Sequence, residues 1–289
     1  MNPSDSVYLF SYFKGHGDGL HLAWSADGFR WNALRDDQPL VTGHAGPEKL
    51  MRDPFLFPAR DGLFHLVWTA GWRGKGIGYT SSFDLLHWSD QTFIGVMEHE
   101  PDALNCWAPE IFFDEDRDQY VIYWATSIPG RFPETDHTGD EGLNHRMYYA
   151  CTKDFKTFSE TRLFFDAGFN VIDATLAKDG DRYLLFLKDE TLMPCQKNIR
   201  VAMSGDIYSG FGQVSEPMTG DYWAEGPTAI RIDDAWIVYF DKYKLNQIGA
   251  VMSRDLVHWK DISSQLHFPD GAQHGSVVKI SLERIHHLL

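Results

Sequence analysis

One phrase returns five times along this chain. It reads Ser25-Ala26-Asp27-Gly28-Phe29-Arg30-Trp31, then Ser82-Phe83-Asp84-Leu85-Leu86-His87-Trp88, then Thr152-Lys153-Asp154-Phe155-Lys156-Thr157-Phe158. A looser copy is Ser204-Gly205-Asp206-Ile207-Tyr208, and the fifth is Ser253-Arg254-Asp255-Leu256-Val257-His258-Trp259. The Asp residues are 57, 70, 52 and 49 positions apart. A period of this size marks stacked supersecondary units, each burying a face that its neighbour covers. Asp suits the close of a strand because its carboxylate accepts the amide hydrogens of the turn that follows. The aromatic a few residues on is expected to cover the next unit.

The segments between these phrases are short and rich in aromatic and β-branched residues: Val7 to Phe13, Phe64 to Trp68, Tyr120 to Trp124, Tyr183 to Leu187 and Trp236 to Phe240. Turn dipeptides bound them, so they read as antiparallel strands. Only the tail, Ser281 to Leu289, could make a helical turn or two. A second phrase opens the units: Arg52-Asp53-Pro54-Phe55, Trp107-Ala108-Pro109-Glu110, Ile172-Asp173-Ala174-Thr175, Glu225-Gly226-Pro227-Thr228 and His274-Gly275-Ser276-Val277. The last opening phrase has no closing phrase after it, and the first closing phrase has no opening phrase before it. The ends therefore complement each other. The expected fold is all-β, a five-bladed β-propeller of four-stranded blades. The strand from Val277 to Ile280 joins the N-terminal strands in one shared blade, which removes free sheet edges. Residues 1–289 then form a single domain.

Composition narrows the partners. A net charge of -15 repels phosphate backbones, which disfavours nucleic acid. No stretch is long and apolar enough for a membrane span. Cys106, Cys151 and Cys195 are an odd, scattered set, which opposes a disulfide framework or a zinc site. Met1 to Ser6 lacks the basic and apolar regions of a secretory signal, which points to the cytoplasm; a chain whose signal had been cleaved would read the same. Oligomeric state is not legible.

In a propeller the first strand of each blade lines the central channel, and equivalent positions form a ring at its mouth. Asp53, Asp173 and Glu225 all sit in opening phrases and are expected to converge. Singly, each reads as an ordinary turn residue. Together they cost charge repulsion unless the charges are used.

The series Arg-Asp-Pro, Trp-Ala-Pro-Glu, Ile-Asp-Ala, Glu-Gly-Pro and His-Gly-Ser, in this order, resembles glycoside hydrolase family 43. The resemblance spans nearly the whole chain. It departs from the family in one respect, a half-blade of about fifty residues ahead of the first Asp-Pro, read as a changed seam in a similar ring. The resemblance implies a five-bladed propeller that hydrolyses arabinose- or xylose-containing saccharides. It implies Asp53 as general base, Glu225 as general acid, and Asp173 as the residue that tunes and orients the acid. An inverting glycosidase needs one protonated carboxyl at the leaving oxygen and one carboxylate behind the sugar, roughly 6.5–9.5 Å apart to admit water. An ionised Asp173 would help the acid keep its proton by like-charge repulsion.

Trp72, Trp107 and Trp223 are candidate walls of a sugar pocket, with blade packing as the alternative. Trp31, Trp88 and Trp259 belong to closing phrases and read as packing residues. In similar propellers the histidine matching His274 faces the channel. It reads here as a substrate-side residue or a hydrogen-bonding core histidine, with a structural calcium in the channel the lesser alternative. No metal ligands are assigned and no cofactor is required. The segment Ile128 to Arg146 reads as a polar loop over the mouth. The leading function is an inverting, exo-acting α-L-arabinofuranosidase. β-Xylosidase is the alternative within the family, and a non-catalytic carbohydrate-binding propeller is the alternative outside it.

Overall fold

The computed structural model describes residues 5–289. Met1 to Ser4, on which the reading of the N-terminus partly rests, lie outside them. Among the described residues no helix is long and apolar enough to cross a membrane.

The chain opens with β1 (Ser6–Phe13), β2 (His21–Ser25) and β3 (Asn32–Ala33). A full blade follows, β4 (Arg52–Pro58), β5 (Phe64–Thr69), β6 (Ile77–Ser82) and β7 (Thr92–Ile94). The next holds β8 (Trp107–Asp114), β9 (Gln119–Ser127), β10 (His145–Thr152) and β11 (Arg162–Phe165). Then come β12 (Val171–Asp179), β13 (Arg182–Asp189) and β14 (Asn198–Ser204), and after them β15 (Glu225–Ile232), β16 (Ala235–Lys242), β17 (Gln247–Ser253) and β18 (Lys260–Asp261). The last strand, β19 (Gln273–Ser281), pairs antiparallel with β1, Val277 opposite Phe10, and completes the first blade. The shared blade expected from the unmatched phrases is thus formed. Two short 3-10 turns, Leu282–Arg284 and His286–Leu288, end the chain.

One blade departs from four strands. Beyond β14 the segment 212–218 only partly follows its edge: Gly212, Ser215 and Met218 donate amides to Met203, Val201 and Ile199 at 3.0, 2.8 and 2.8 Å. Pro217 has no amide to give, and Gly210 and Gly212 break the run, so no regular ladder forms.

The closing phrases do what their chemistry requires. Asp27, Asp84, Asp154 and Asp255 each accept the amides two and three residues ahead, at 2.7–2.9 Å. The residue after each Asp (Gly28, Leu85, Phe155, Leu256) takes a positive φ of 82°, 63°, 54° and 63°. That turn throws the aromatic onto the preceding blade, not the next. Trp31 meets Tyr239 of β16 edge-on at 5.7 Å, and Trp259 meets Phe186 of β13 at 6.0 Å. Five apolar clusters result, one at each blade interface.

Candidate active site

Four inner strands carry the same irregularity. The pairing of β4, β8, β12 and β15 with its neighbour slips at the opening phrase, between Arg52 and Phe55, Trp107 and Glu110, Ile172 and Thr175, and Glu225 and Thr228. The bulged residues Asp53, Ala108, Asp173 and Gly226 all take a left-handed φ, at 52°, 45°, 50° and 58°. For the non-glycines this is strain on the order of 1–3 kcal/mol each, which the surrounding ring holds in place. A bulge re-aims the side chains beside it. Asp53 and Asp173 are therefore equivalent, as expected. Glu225 is not: it stands one residue earlier, at the register of Arg52, Trp107, Ile172 and His274. Those five first residues all line one cavity of about 610 Å³, with both aspartates at its floor.

Two glycines make this approach feasible. A Cβ on Gly226 would lie 2.3 Å from the His274 ring, and one on Gly275 would lie 1.6 Å from the Ser11 carbonyl oxygen. His274 sits among the three acids. Its Nδ1 is 3.2 Å from Asp53 Oδ1. Burial pulls its pKa down, but Asp53, Asp173 and Glu225 outweigh that and push it up to about 10. Asp53 is the mirror image. Burial raises it, and the His274 charge, with Arg52 and the hydroxyl of Thr69 donating at 2.6 Å, brings it down to about 2. Thr69 in turn accepts the Ala108 amide at 2.8 Å. Asp173 is lifted to about 6, mainly by burial and further by Glu225 and Asp53, against His274 and Lys188. It accepts the Gly226 amide at 3.1 Å, the peptide group next to Glu225.

Several residues here were not singled out from the sequence. Lys188, buried on β13, donates to Glu225 at 3.0 Å and forms an ion pair with Glu190 at 2.7 Å. Glu190 also binds buried Lys197, which reaches Asp140 at 2.5 Å. An alternating chain of charges thus runs from the 128–146 loop to Glu225. That loop does border the cavity, through Asp140, Glu141, Leu143 and His145. His145 is neutral, pushed down to about 4 by burial; it donates to Asn170 and accepts from Asn105, and Trp107 lies 4.8 Å away. Glu110, beneath the floor, is raised by burial to about 8 while Tyr123 donates to it at 2.7 Å. Asp241, opposite Glu225 across the β15–β16 pair, is raised by burial to about 7.

Of the three tryptophans, Trp72 and Trp107 line the cavity and meet edge-to-face at 5.9 Å. Trp223 does not line it. It packs at 5.9 Å from Tyr243, which takes the wall position, and under Lys197 and Lys244. Among the described residues no group of three or more His, Cys, Asp or Glu side chains is arranged to hold a metal.

A family model described as "Probable glycosyl hydrolase domain", of the glycosyl hydrolase 43-related kind, matches residues 5–285. An α-L-arabinofuranosidase of Bifidobacterium longum subsp. longum is 26% identical over 211 residues, covering 64% of this chain but 20% of that protein. The chain thus spans about a fifth of the length of that relative. Two solved structures share the fold: a thermostable family-43 glycoside hydrolase (TM-score 0.59, 18% identity, 80% of each chain) and an α-L-arabinofuranosidase from Lactobacillus brevis (TM-score 0.58, 17% identity, 78% of this chain and 74% of that one). An inner ring with an Asp-Pro bulge, an Ile-Asp-Ala bulge and a Glu-Gly-Pro bulge, matched by that model along almost its full length, places the chain in the glycosyl hydrolase family 43-related domain family.

Proposed function

We propose that the chain is an inverting, exo-acting α-L-arabinofuranosidase. The observation that carries this reading is the grouping of Asp53, Asp173 and Glu225 about His274 at one cavity. Asp53 acts as general base. Its carboxylate stays ionised well below neutral pH, and its two oxygens are fixed by His274 and Thr69. Each oxygen keeps a lone pair for the proton of an attacking water. Glu225 acts as general acid and protonates the leaving oxygen. Asp173 is the positioning residue, tied to the Gly226 peptide beside that acid. Separate base and acid carboxyls, with water between base and sugar, lead to inversion. Carboxyl groups and water suffice, so no cofactor takes part. The Bifidobacterium longum relative supports arabinose as the sugar released.

Nitrophenyl α-L-arabinofuranoside and β-D-xyloside, with their oligosaccharide counterparts, test this reading. Glu225→Ala should cost roughly 10²–10⁴-fold in kcat/KM on an oligosaccharide, and much less on the nitrophenyl glycoside, whose leaving group needs little protonation. Faster xyloside than arabinoside cleavage would move the assignment to β-xylosidase. Binding of both sugars without hydrolysis of either would make the chain a carbohydrate-binding propeller.

A further inference from the structure

The charge of Arg52 helps hold Asp53 ionised, but the proposed mechanism leaves its N–H donors unused. Arg52 opens β4 immediately before Asp53, in the same ring of first residues as Glu225 and His274. Its guanidinium carbon lies 4.4 Å over the Phe13 ring and 4.7 Å over the Trp72 ring. Both rings pack against the planar group and hold it in place. What remains is its edge of N–H donors. Arg73, Lys188 and His274, the other cations lining the cavity, each have a carboxylate partner, Glu141 at 3.7 Å, Glu190 at 2.7 Å and Asp53 at 3.2 Å. Among the described residues no hydrogen bond or ion pair engages the Arg52 guanidinium.

A guanidinium held in place, with free in-plane donors, selects two acceptor atoms side by side. A carboxylate and a pair of adjacent hydroxyls both offer that. The surroundings decide between them. Six carboxylates line the cavity against four cationic groups, so an anionic ligand meets net repulsion and a neutral one does not. We infer that Arg52 is a specificity-determining residue that grips two adjacent free hydroxyls of the sugar bound in the cavity, so that a sugar lacking or blocked at either hydroxyl is refused. This rests on the glycosidase reading for the nature of the ligand.

The test measures binding separately from hydrolysis. Methyl α-L-arabinofuranoside, methyl β-D-xyloside, each of their monodeoxy derivatives, and a methyl uronoside are titrated into the wild type, Arg52→Gln and Arg52→Lys by proton NMR. Circular dichroism confirms folding, and the same samples are assayed for cleavage. Arg52→Gln should weaken binding of the preferred parent glycoside roughly tenfold to hundredfold. Arg52→Lys should recover little, because an ammonium has no fork. The two monodeoxy derivatives that lack a gripped hydroxyl should each bind the wild type more weakly than their parent does, with a smaller penalty in Arg52→Gln. Unchanged affinity in Arg52→Gln, full rescue by lysine, or an equal deoxy penalty in wild type and Arg52→Gln overturns the inference. So does tighter binding of the uronoside than of the neutral glycosides. If the wild type binds a glycoside with this pattern yet cleaves none, the hydrolase reading fails and Arg52 keeps its role. If it binds none, both fall.

Discussion

The outer turns and the inner bulges are both repeats, and they use aspartate in opposite ways. Asp84 is a typical outer copy. It accepts the amides of Leu86 and His87, its own near neighbours, and its carboxylate faces water. Asp53 is an inner copy. It is largely enclosed, with 12% of its side chain exposed, and its partners Thr69 and His274 lie on two other strands, one of them at the far end of the chain. The outer set is chemically uniform because each turn solves the same local problem. The inner set shares a backbone, but its side chains diverge to Asp, Ala, Asp and Gly at one position and Arg, Trp, Ile, Glu and His at the one before. A repeat that keeps its geometry while varying its side chains is where the fold builds chemistry.

The sharpest contrast is a pair of substitutions. Asp53→Ala should lower kcat/KM by at least roughly 10²-fold on every glycoside, activated or not, because every substrate needs the base. Its melting temperature should fall as well, since buried His274 loses its carboxylate partner and alanine fits the left-handed bulge no better. Asp84→Ala should lose only a few degrees of melting temperature, through its two unaccepted amides, and keep its activity. Equal behaviour of the two variants in thermal melts and rate assays would erase the distinction between the sets.

His274→Asn is the next test, and it bears on pH. The low pKa of Asp53 means that the pair contributes stability above the unfolded carboxylate value, near 3.9, which is lost as pH falls toward about 2. The raised pKa of His274 means that its share is complete below about 6.5 and is lost as pH rises through about 10. Thermal melts of wild type and His274→Asn should differ most between about pH 4 and 6.5 and converge at both extremes. Without the imidazolium, burial raises Asp53 against only Arg52 and Thr69, so the acid limb of the kcat/KM profile should move to higher pH. An unmoved limb means that His274 does not hold Asp53 ionised.

A smaller effect belongs to Asp173. Its titration at about 6 should appear as an inflection in the wild-type pH profile and vanish in Asp173→Asn. An inflection that persists in the variant belongs to another group of the cluster.

The sequence made the ring, its seam and the convergence of Asp53 and Asp173 readable, because a repeat carries its own register. It misplaced Glu225 by one residue, since a bulge inserts residues without any mark in the letters. The partners of the opening residues were harder to see because they lie on the second strand of each blade. Yet a signal was there. Arg52, Ile172 and Glu225 pair with Thr69, Lys188 and Asp241, polar residues that directly follow the apolar runs ending at Trp68, Leu187 and Phe240. Charge directly after such a run, as in Lys188-Asp189-Glu190, marks the end of the strand that reaches the mouth. Trp223 misled because its place two residues before Glu225 says nothing of which way its side chain packs. The direction of the closing aromatics depends on a positive φ that sequence spacing does not reveal.

In the proposed mechanism Asp53 activates water while Glu225 protonates the leaving group. Proton NMR of the first product formed from an α-L-arabinofuranoside tests it most directly. Inversion at the anomeric carbon gives the β anomer at the earliest time points, before mutarotation. The α anomer as first product would make Asp53 a nucleophile and contradict it.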